Sequence, residues 1–214
     1  MKKIISGILL FMVFTLSVSA EEDSRTLRSN THIGIDVGYA PVSLPFPSTK
    51  SLSAYLILDP NWQIGFEYAW TTFGLKALSF ELGAMEEDNY TIKARYFPNS
   101  NSFNWVFGYG RRDMTVKLAS DFFDLVTNTY SMVASQTRTN YVQLGLSNQW
   151  QWQKGYVVTV DWLTVNIPVA AEVTTSASQY AKDATYRARI QDAEDILAWY
   201  PQAWVVEMKV GFAF

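Results

Sequence analysis

The last twelve residues of the chain alternate. Trp204, Val206, Met208, Val210, Phe212 and Phe214 fall on one face of an extended segment, and Ala203, Val205, Glu207, Lys209, Gly211 and Ala213 on the other. Successive side chains of a strand point to opposite sides, so one face is apolar while the other carries a carboxylate and an ammonium. The apolar face has aromatics at both ends and aliphatics between. A soluble sandwich would bury that face and wet the other. Aliphatics between two aromatic bands, with polar residues behind, are what a closed barrel in lipid requires: apolar side outward, polar side toward the lumen.

The same period recurs upstream. Ile33, Ile35, Val37 and Tyr39 alternate with Gly34, Asp36, Gly38 and Ala40. Leu52, Ala54, Leu56 and Leu58 alternate with Ser53, Tyr55 and Ile57. Trp62, Ile64, Phe66, Tyr68 and Trp70 oppose Gln63, Gly65, Glu67, Ala69 and Thr71. Tyr90, Ile92, Ala94 and Tyr96 oppose Thr91, Lys93, Arg95 and Phe97; Phe103, Trp105, Phe107 and Tyr109 oppose Asn104, Val106, Gly108 and Gly110. Val142, Leu144, Leu146 and Trp150 oppose Tyr141, Gln143, Gly145, Ser147 and Gln149, with Asn148 out of pattern. Tyr156, Val158, Val160 and Trp162 oppose Val157, Thr159 and Asp161. With the last segment these make about eight strands, the smallest usual membrane barrel. The expected fold is all-β: an antiparallel up-and-down barrel over residues 31–214.

Proline cannot donate to a ladder. Pro41, Pro45, Pro47, Pro60, Pro98, Pro168 and Pro201 are all expected between strands. Seven glycines fall on inward positions, where a narrow barrel has little room. Asp59-Pro60-Asn61, residues 98–102 and Gln153-Lys154-Gly155 have the chemistry of tight turns. Long segments alternate with them, at about 41–50, 73–89, 113–138 and 168–202. Short turns on one side and long loops on the other put the turns, and both termini, in the periplasm. The parity of Leu78, Phe80 and Leu82, and of Tyr130 and Met132, suggests hairpins that run on above the membrane. A crossing at 75–85 would instead give ten strands. Glu86-Glu87-Asp88 reads as a solvated acidic loop and a candidate contact surface. In the last loop Tyr186, Ile190, Ala193 and Leu197 recur at helical spacing, with N-caps offered at Thr175 to Ser178 and a stop at Pro201. That stripe predicts a helix packed on the barrel mouth, with a lid or partner-docking element as the alternative.

Residues 1–20 have the layout of a cleaved secretory signal: Lys2 and Lys3, an apolar run from Ile4 to Leu16, then Val18-Ser19-Ala20. Residues 21–30 are then a short periplasmic segment. Removing Lys2 and Lys3 takes the formal charge from −3 to −5, and no basic patch points to nucleic acid. Aromatics make up 15% of the chain and charged residues only 17%, against the usual quarter. Without cysteine, neither a disulfide framework nor a thiolate metal site can form.

The inward charges are the one constellation of chemical interest: Asp36, Glu67, Lys93, Arg95, Arg112, Asp161, Glu207 and Lys209. Their signs balance, and most lie four or five residues in from the turn end. An eight-stranded interior is just wide enough for side chains to fill, and a buried charge is costly unless paired. Closure should set Lys209 between Asp161 and Asp36, with Glu67 facing Lys93 or Arg95. A salt-bridged plug is the expected outcome, and a gate or narrow ion path the alternative. His32, the single histidine, sits at the periplasmic rim, where it can complete neither a Ser–His–acid site nor a His-rich metal site. No phosphate-binding glycine loop is present. No cofactor or metal is expected.

Signal peptide, alternating strands, tight turns, aromatic girdles and the final Phe214 together resemble the small bacterial outer-membrane barrels of the OmpA/OmpX type. The resemblance covers the mature chain and lies in architecture rather than a diagnostic motif. It implies an integral outer-membrane protein of a Gram-negative bacterium, monomeric, surrounded by outer-membrane lipid and lipopolysaccharide. It also implies an insertion signal at Phe212 and Phe214, read by the barrel-insertion machinery. No periplasmic domain is expected after Phe214. Such barrels serve as anchors, adhesion proteins, narrow channels and, in a few cases, lipid-modifying enzymes, so fold alone does not decide function. The expectation is a structural or surface-interaction barrel working through its external loops and not an enzyme. A narrow channel for ions or small solutes is the alternative and a lipid-modifying enzyme a distant one.

Overall fold

The computed structural model describes residues 24–45, 48–77, 80–98, 102–118, 133–176, 178 and 183–214. The signal peptide, Pro47, Leu78, Tyr130 and Met132 lie outside them. A short helix, α1 (24–29), is followed by β1 (Ile33–Ala40), β2 (Val42–Leu44), β3 (Thr49–Asp59), β4 (Trp62–Ala77), β5 (Phe80–Tyr96), β6 (Phe103–Leu118), β7 (Val133–Gln151) and β8 (Tyr156–Thr175). Helix α2 (Ala184–Trp199) and β9 (Gln202–Ala213) complete the chain. From β3 to β9 each strand pairs antiparallel with the next, and β1 pairs with both β3 and β9, so the sheet closes. Strands β1 and β2 both pair with β9 and are one strand interrupted at Pro41. Nine segments therefore make an eight-stranded barrel. The hairpin of β4 and β5 stays paired as far as Ala77 opposite Phe80, which rules out a separate crossing at 75–85.

The wall is inside-out relative to a soluble protein. Val37, Leu56, Phe66, Ile92, Trp105, Leu144 and Val210 are exposed, while the buried side chains are mostly polar. Aromatics flank this apolar belt at both levels. Trp62 packs on Tyr96, and Phe212 on Tyr156, near the turn end; Tyr68 stacks on Trp70 and Tyr90 toward the other. The turn at Pro60-Asn61 is held by Asp59 Oδ1, which accepts from the amides of Asn61 (2.7 Å) and Trp62 (3.1 Å). Gly155 has φ +85°, a value few side chains accept, which suits the tight turn before β8.

The alternation breaks along one line. Tyr39 pairs with Met208 and Val42 with Val205, so Pro41 falls opposite Val206. Asp161 pairs with Glu207 and Leu163 with Val205, so Trp162 also falls opposite Val206. On each of these strands two outward residues in succession separate the inward ones: Ala40 from Ser43, Asp161 from Thr164, Trp204 from Glu207. Val206 has φ +59°, a left-handed backbone that is strained for a β-branched side chain. Register against β7 slips at the same level, between Leu146 and Ser147. The consequence overturns part of the strict alternation. Trp204 does not belong to the outer girdle; it is 1% exposed and points into the lumen beside Ala40 and Ala69.

A second correction concerns Pro168, which lies within β8 opposite Tyr141 rather than between strands. It is tolerated because β9 reaches only as far as Asn166, and because the β7–β8 register shifts there. Trp150 stays on the outer wall but is covered, packed with Val160, Trp152, Val158 and Val206.

Candidate functional site

The barrel interior is built from the inward positions of the strands. Glu67 comes from β4, Lys93 and Arg95 from β5, Asp161 from β8, Glu207 and Lys209 from β9, and Asp36 from β1. Lys209, 1% exposed, contacts Glu67 and lies 3.3 Å from both Asp161 and Glu207. Lys93 donates to Glu67 at 2.5 Å, and Ser53 donates to the other oxygen of Glu67 at 3.1 Å. Arg95 grips Asp161 with two bonds, 2.8 and 3.0 Å, and also reaches Asn104 and Ser147. Ser51 donates to Glu207 at 2.5 Å.

Two of the ion pairs reach across the lumen between strands that are not neighbours. Lys209 meets Glu67 from β9 to β4, and Arg95 meets Asp161 from β5 to β8. Long side chains in a narrow barrel can touch the far wall, which reading strand by strand does not anticipate. Asp36 is not an ion-pair partner of Lys209 among the described residues; its Oδ1 has no hydrogen-bond partner there. The expected bridge from Lys209 to Asp36 is therefore absent, because the Lys209 ammonium turns inward to Glu67, away from the seam.

Arg112 behaves differently from the other charges. Its guanidinium donates to the carbonyls of Leu197 (3.3 Å), Ala198 (3.2 Å) and Tyr200 (3.1 Å). Those are orphan acceptors at the end of α2, the negative pole of a helix, where a cation is stabilising. Thr139 donates to the Ala198 carbonyl as well, at 2.8 Å. On the buried side of α2, Glu194 accepts from Ser135 and from Ser176 (2.7 Å). The helix starts later than its N-cap signals suggested: Asp183 caps it by accepting from the Thr185 amide. Its buried positions include Glu194 and Ala198, while Ala193 is exposed, because the inward residues of β7 that α2 meets are polar.

Residues 86–88 are not a loop. They lie in β5, and alternation separates them: Glu86 outward to Lys117 at 2.6 Å, Asp88 outward to Tyr68 at 2.5 Å, Glu87 inward and 2% exposed. Glu87 accepts from Asn89 (2.6 Å) and Gln202 (2.5 Å). An amide chain continues from Gln202 through Asn166 to Gln143. Glu87 escaped the sequence reading because three consecutive acids look like a solvated run, although their parity already separates the middle one.

The turn end is covered by α1. Arg28 lies 4.1 Å above the ring of Phe97, and its Nε donates to the Pro60 carbonyl at 3.1 Å. His32 is exposed at this rim, its amide bonded to the Phe214 carbonyl at 3.0 Å. Phe212 and Phe214 stand outward at the closing seam, with their ring centroids 6.2 Å apart. From bottom to top, the lumen therefore holds α1, the charge network with Trp204 above Lys93, the amide chain, and α2.

No protein-family model matches the chain, and no curated protein sequence matches it. Solved structures do. The crystal structure of Ail, the attachment invasion locus protein of Yersinia pestis, in complex with the heparin analogue sucrose octasulfate, is 13% identical with a TM-score of 0.51; the match covers 86% of this chain and 99% of that one. A major outer membrane protein from Thermus thermophilus is 11% identical with a TM-score of 0.51, over 85% of this chain and 99% of that one. The likeness is one of fold: this chain has the architecture of the small outer-membrane barrels.

Proposed function

We propose that this outer-membrane barrel is a surface-interaction protein whose working parts stand outside the membrane, in the bacterial outer membrane with both termini in the periplasm. The observation that carries the reading is an imbalance in strand length. Strands β1, β3 and β9 have 8, 11 and 12 residues; β4 to β8 have 16 to 20. The pairing of β3 with β4 stops at Trp70, and that of β9 with β8 at Asn166. Beyond those points β4–β8 continue as a curved sheet. Among the described residues its two edges, 71–77 and 167–175, have no strand partner on the outer side. An unpaired edge is a template for strand addition by an extended peptide, with main-chain hydrogen bonds giving affinity. We take such a peptide, on another protein, to be the partner class.

The lumen charges serve this reading as a rigid filling. Glu67, Lys93, Arg95, Asp161, Glu207 and Lys209 hold the walls together, and Arg112 fixes α2 over them. The polar groups point at one another rather than along a path, which favours a scaffold over a channel. Residues 1–20 are read as the cleaved signal and Phe212 with Phe214 as the insertion signal. Outer-membrane lipid and lipopolysaccharide surround the barrel.

The test is a set of edge variants in cells. Val169→Pro and Val173→Pro should abolish binding to host or bacterial surfaces while leaving surface display and heat-modifiability intact. Unchanged binding in both would sink the proposal. Stable openings of the purified barrel in planar bilayers would replace it with the channel reading. A change in lipid A mass in expressing cells would replace it with the enzyme reading.

A further inference from the structure

The outer face of α2 is not uniform along its length. Thr185, Arg189 and Asp192 lie on that face near the start and middle of the helix. Ile196 and Trp199 follow them, with Tyr200 just past the helix end. These three are 65%, 52% and 40% exposed, and their spacing of three and four puts them together on one side. The opposite side, with Glu194 and Ala198, is the one buried against the barrel. A large apolar face left open at one end of a helix calls for a cover.

Its position says what the cover is. Arg112 and Thr139 hold the end of α2 by the carbonyls of Leu197, Ala198 and Tyr200. Arg112 lies just past Tyr109, an outward residue of the upper aromatic level, and its neighbours Arg111 and Asp113 are already paired charges outside it. The chain passes from Tyr200 through Pro201 into β9. There the adjacent outward residues are Val205 and, across the β2–β9 pairing, Val42 and Leu44, which are 37%, 50% and 51% exposed. The apolar end of α2 thus leads directly into a strand whose outward residues belong to the lipid-facing belt. The wall beside β9 is also low, since β2 ends at Leu44 and β3 begins at Thr49. Tryptophan and tyrosine are the side chains that favour a membrane–water boundary, one end apolar and the other wet.

We infer that the C-terminal end of α2 is seated in the outer leaflet, with Trp199 and Tyr200 at the boundary between headgroups and acyl chains and Ile196 just inside the headgroup layer. The helix is then both a cover for the lumen and a lipid anchor. This rests on the membrane-barrel reading, and the experiment separates the two. The chain has no cysteine, so Trp199→Cys, Ile196→Cys, Arg187→Cys and Val37→Cys can each carry a single nitroxide label. The mature barrel is refolded into phospholipid bilayers and checked for heat-modifiability. Accessibility to oxygen is then compared with accessibility to a water-soluble nickel complex. At Val37 oxygen should dominate, and at Arg187 nickel. The labels at Trp199 and Ile196 should follow Val37. If both follow Arg187 while Val37 is lipid-exposed, the anchor is overturned and the barrel stands. If Val37 itself is nickel-accessible, the barrel reading fails first. The two sites back each other, so one poorly folding variant leaves the other decisive.

Discussion

Arg95 and Asp161 form a two-pronged ion pair across the lumen, at 2.8 and 3.0 Å, from strands three apart around the barrel. Both residues are buried, so the pair ties two separate parts of the wall in a place where neither charge has bulk water to fall back on. Breaking a buried pair from one side costs about 3–5 kcal/mol, less where another partner remains, as Lys209 does for Asp161 at 3.3 Å. Arg95→Met should therefore lower stability to urea in detergent by about 3 kcal/mol. Adding Asp161→Asn should recover part of that loss. Equal losses in the single and double variants would show that the two charges are independently hydrated.

Lys209 has three carboxylates around it, and they are not equally dependent on it. Glu67 keeps Lys93 if Lys209 is removed; among the described residues Glu207 keeps only the Ser51 hydroxyl. Lys209→Met should destabilise the barrel, and Glu207→Gln should rescue it better than Glu67→Gln, which would strand Lys93. Asp36→Asn should rescue least of the three. Urea midpoints of the three double variants, ranked in any other order, would contradict this geometry.

Arg112 should control how tightly α2 is held. Arg187 and Arg189 are exposed on that helix and offer trypsin two sites. A hydrogen bond to a charged group contributes about 1.5–3 kcal/mol. Arg112→Met should accordingly speed cleavage at these sites roughly ten- to a hundredfold, by making local opening easier. The rest of the barrel should stay resistant. An unchanged cleavage rate would mean that α2 is held by Thr139 and Glu194 alone.

Val206 carries backbone strain that glycine would relieve. Left-handed backbone costs a non-glycine residue about 1–2 kcal/mol, against about 0.5–1 kcal/mol for the extra freedom of glycine in a strand. Val206 also packs near Trp150, which glycine would give up. The expected result is that Val206→Gly is close to neutral in urea unfolding, whereas the neighbouring Val205→Gly is clearly destabilising. A loss at Val206 as large as at Val205 would remove strain from the account.

The closing seam leaves no room at Gly211. A methyl group there would meet the Ile35 carbonyl and come within 2.6 Å of the Asp36 Cβ, so backbone as well as side chain stands in the way. Gly211→Ala should cost about 1–3 kcal/mol, as overpacking does. It should also weaken the heat-modifiable band expected of the folded barrel on unboiled gels. Full wild-type stability would argue against the β1–β9 register.

The lipid-facing wall was legible because lipid enforces a period of two along each strand, and most inward and outward assignments follow from it. Three kinds of residue escaped. Trp204 turned inward because Val206 adds a step that neither hydropathy nor residue type announces; valine is a poor candidate for left-handed backbone. Arg112 found helix carbonyls rather than a carboxylate, and a backbone partner leaves no trace in a list of charges. Lys209 and Arg95 took partners that depend on how far a side chain reaches across the lumen, and a strand-by-strand reading contains no such distance. Pro168 was misplaced for a related reason: a strand that outruns its neighbour has a side on which proline costs nothing.

The uneven strand lengths have one more consequence. A plain cylinder in a membrane has no front. Here the rim is high along β4–β8 and low along β9, β1 and β3, so the molecule has a compass bearing in the plane of the bilayer. A neighbour drifting up on the high side meets an upright screen of backbone; one arriving on the low side meets no such screen. Rotation about the membrane normal, which would mean nothing for a symmetric barrel, decides what this protein shows to whatever stands next to it.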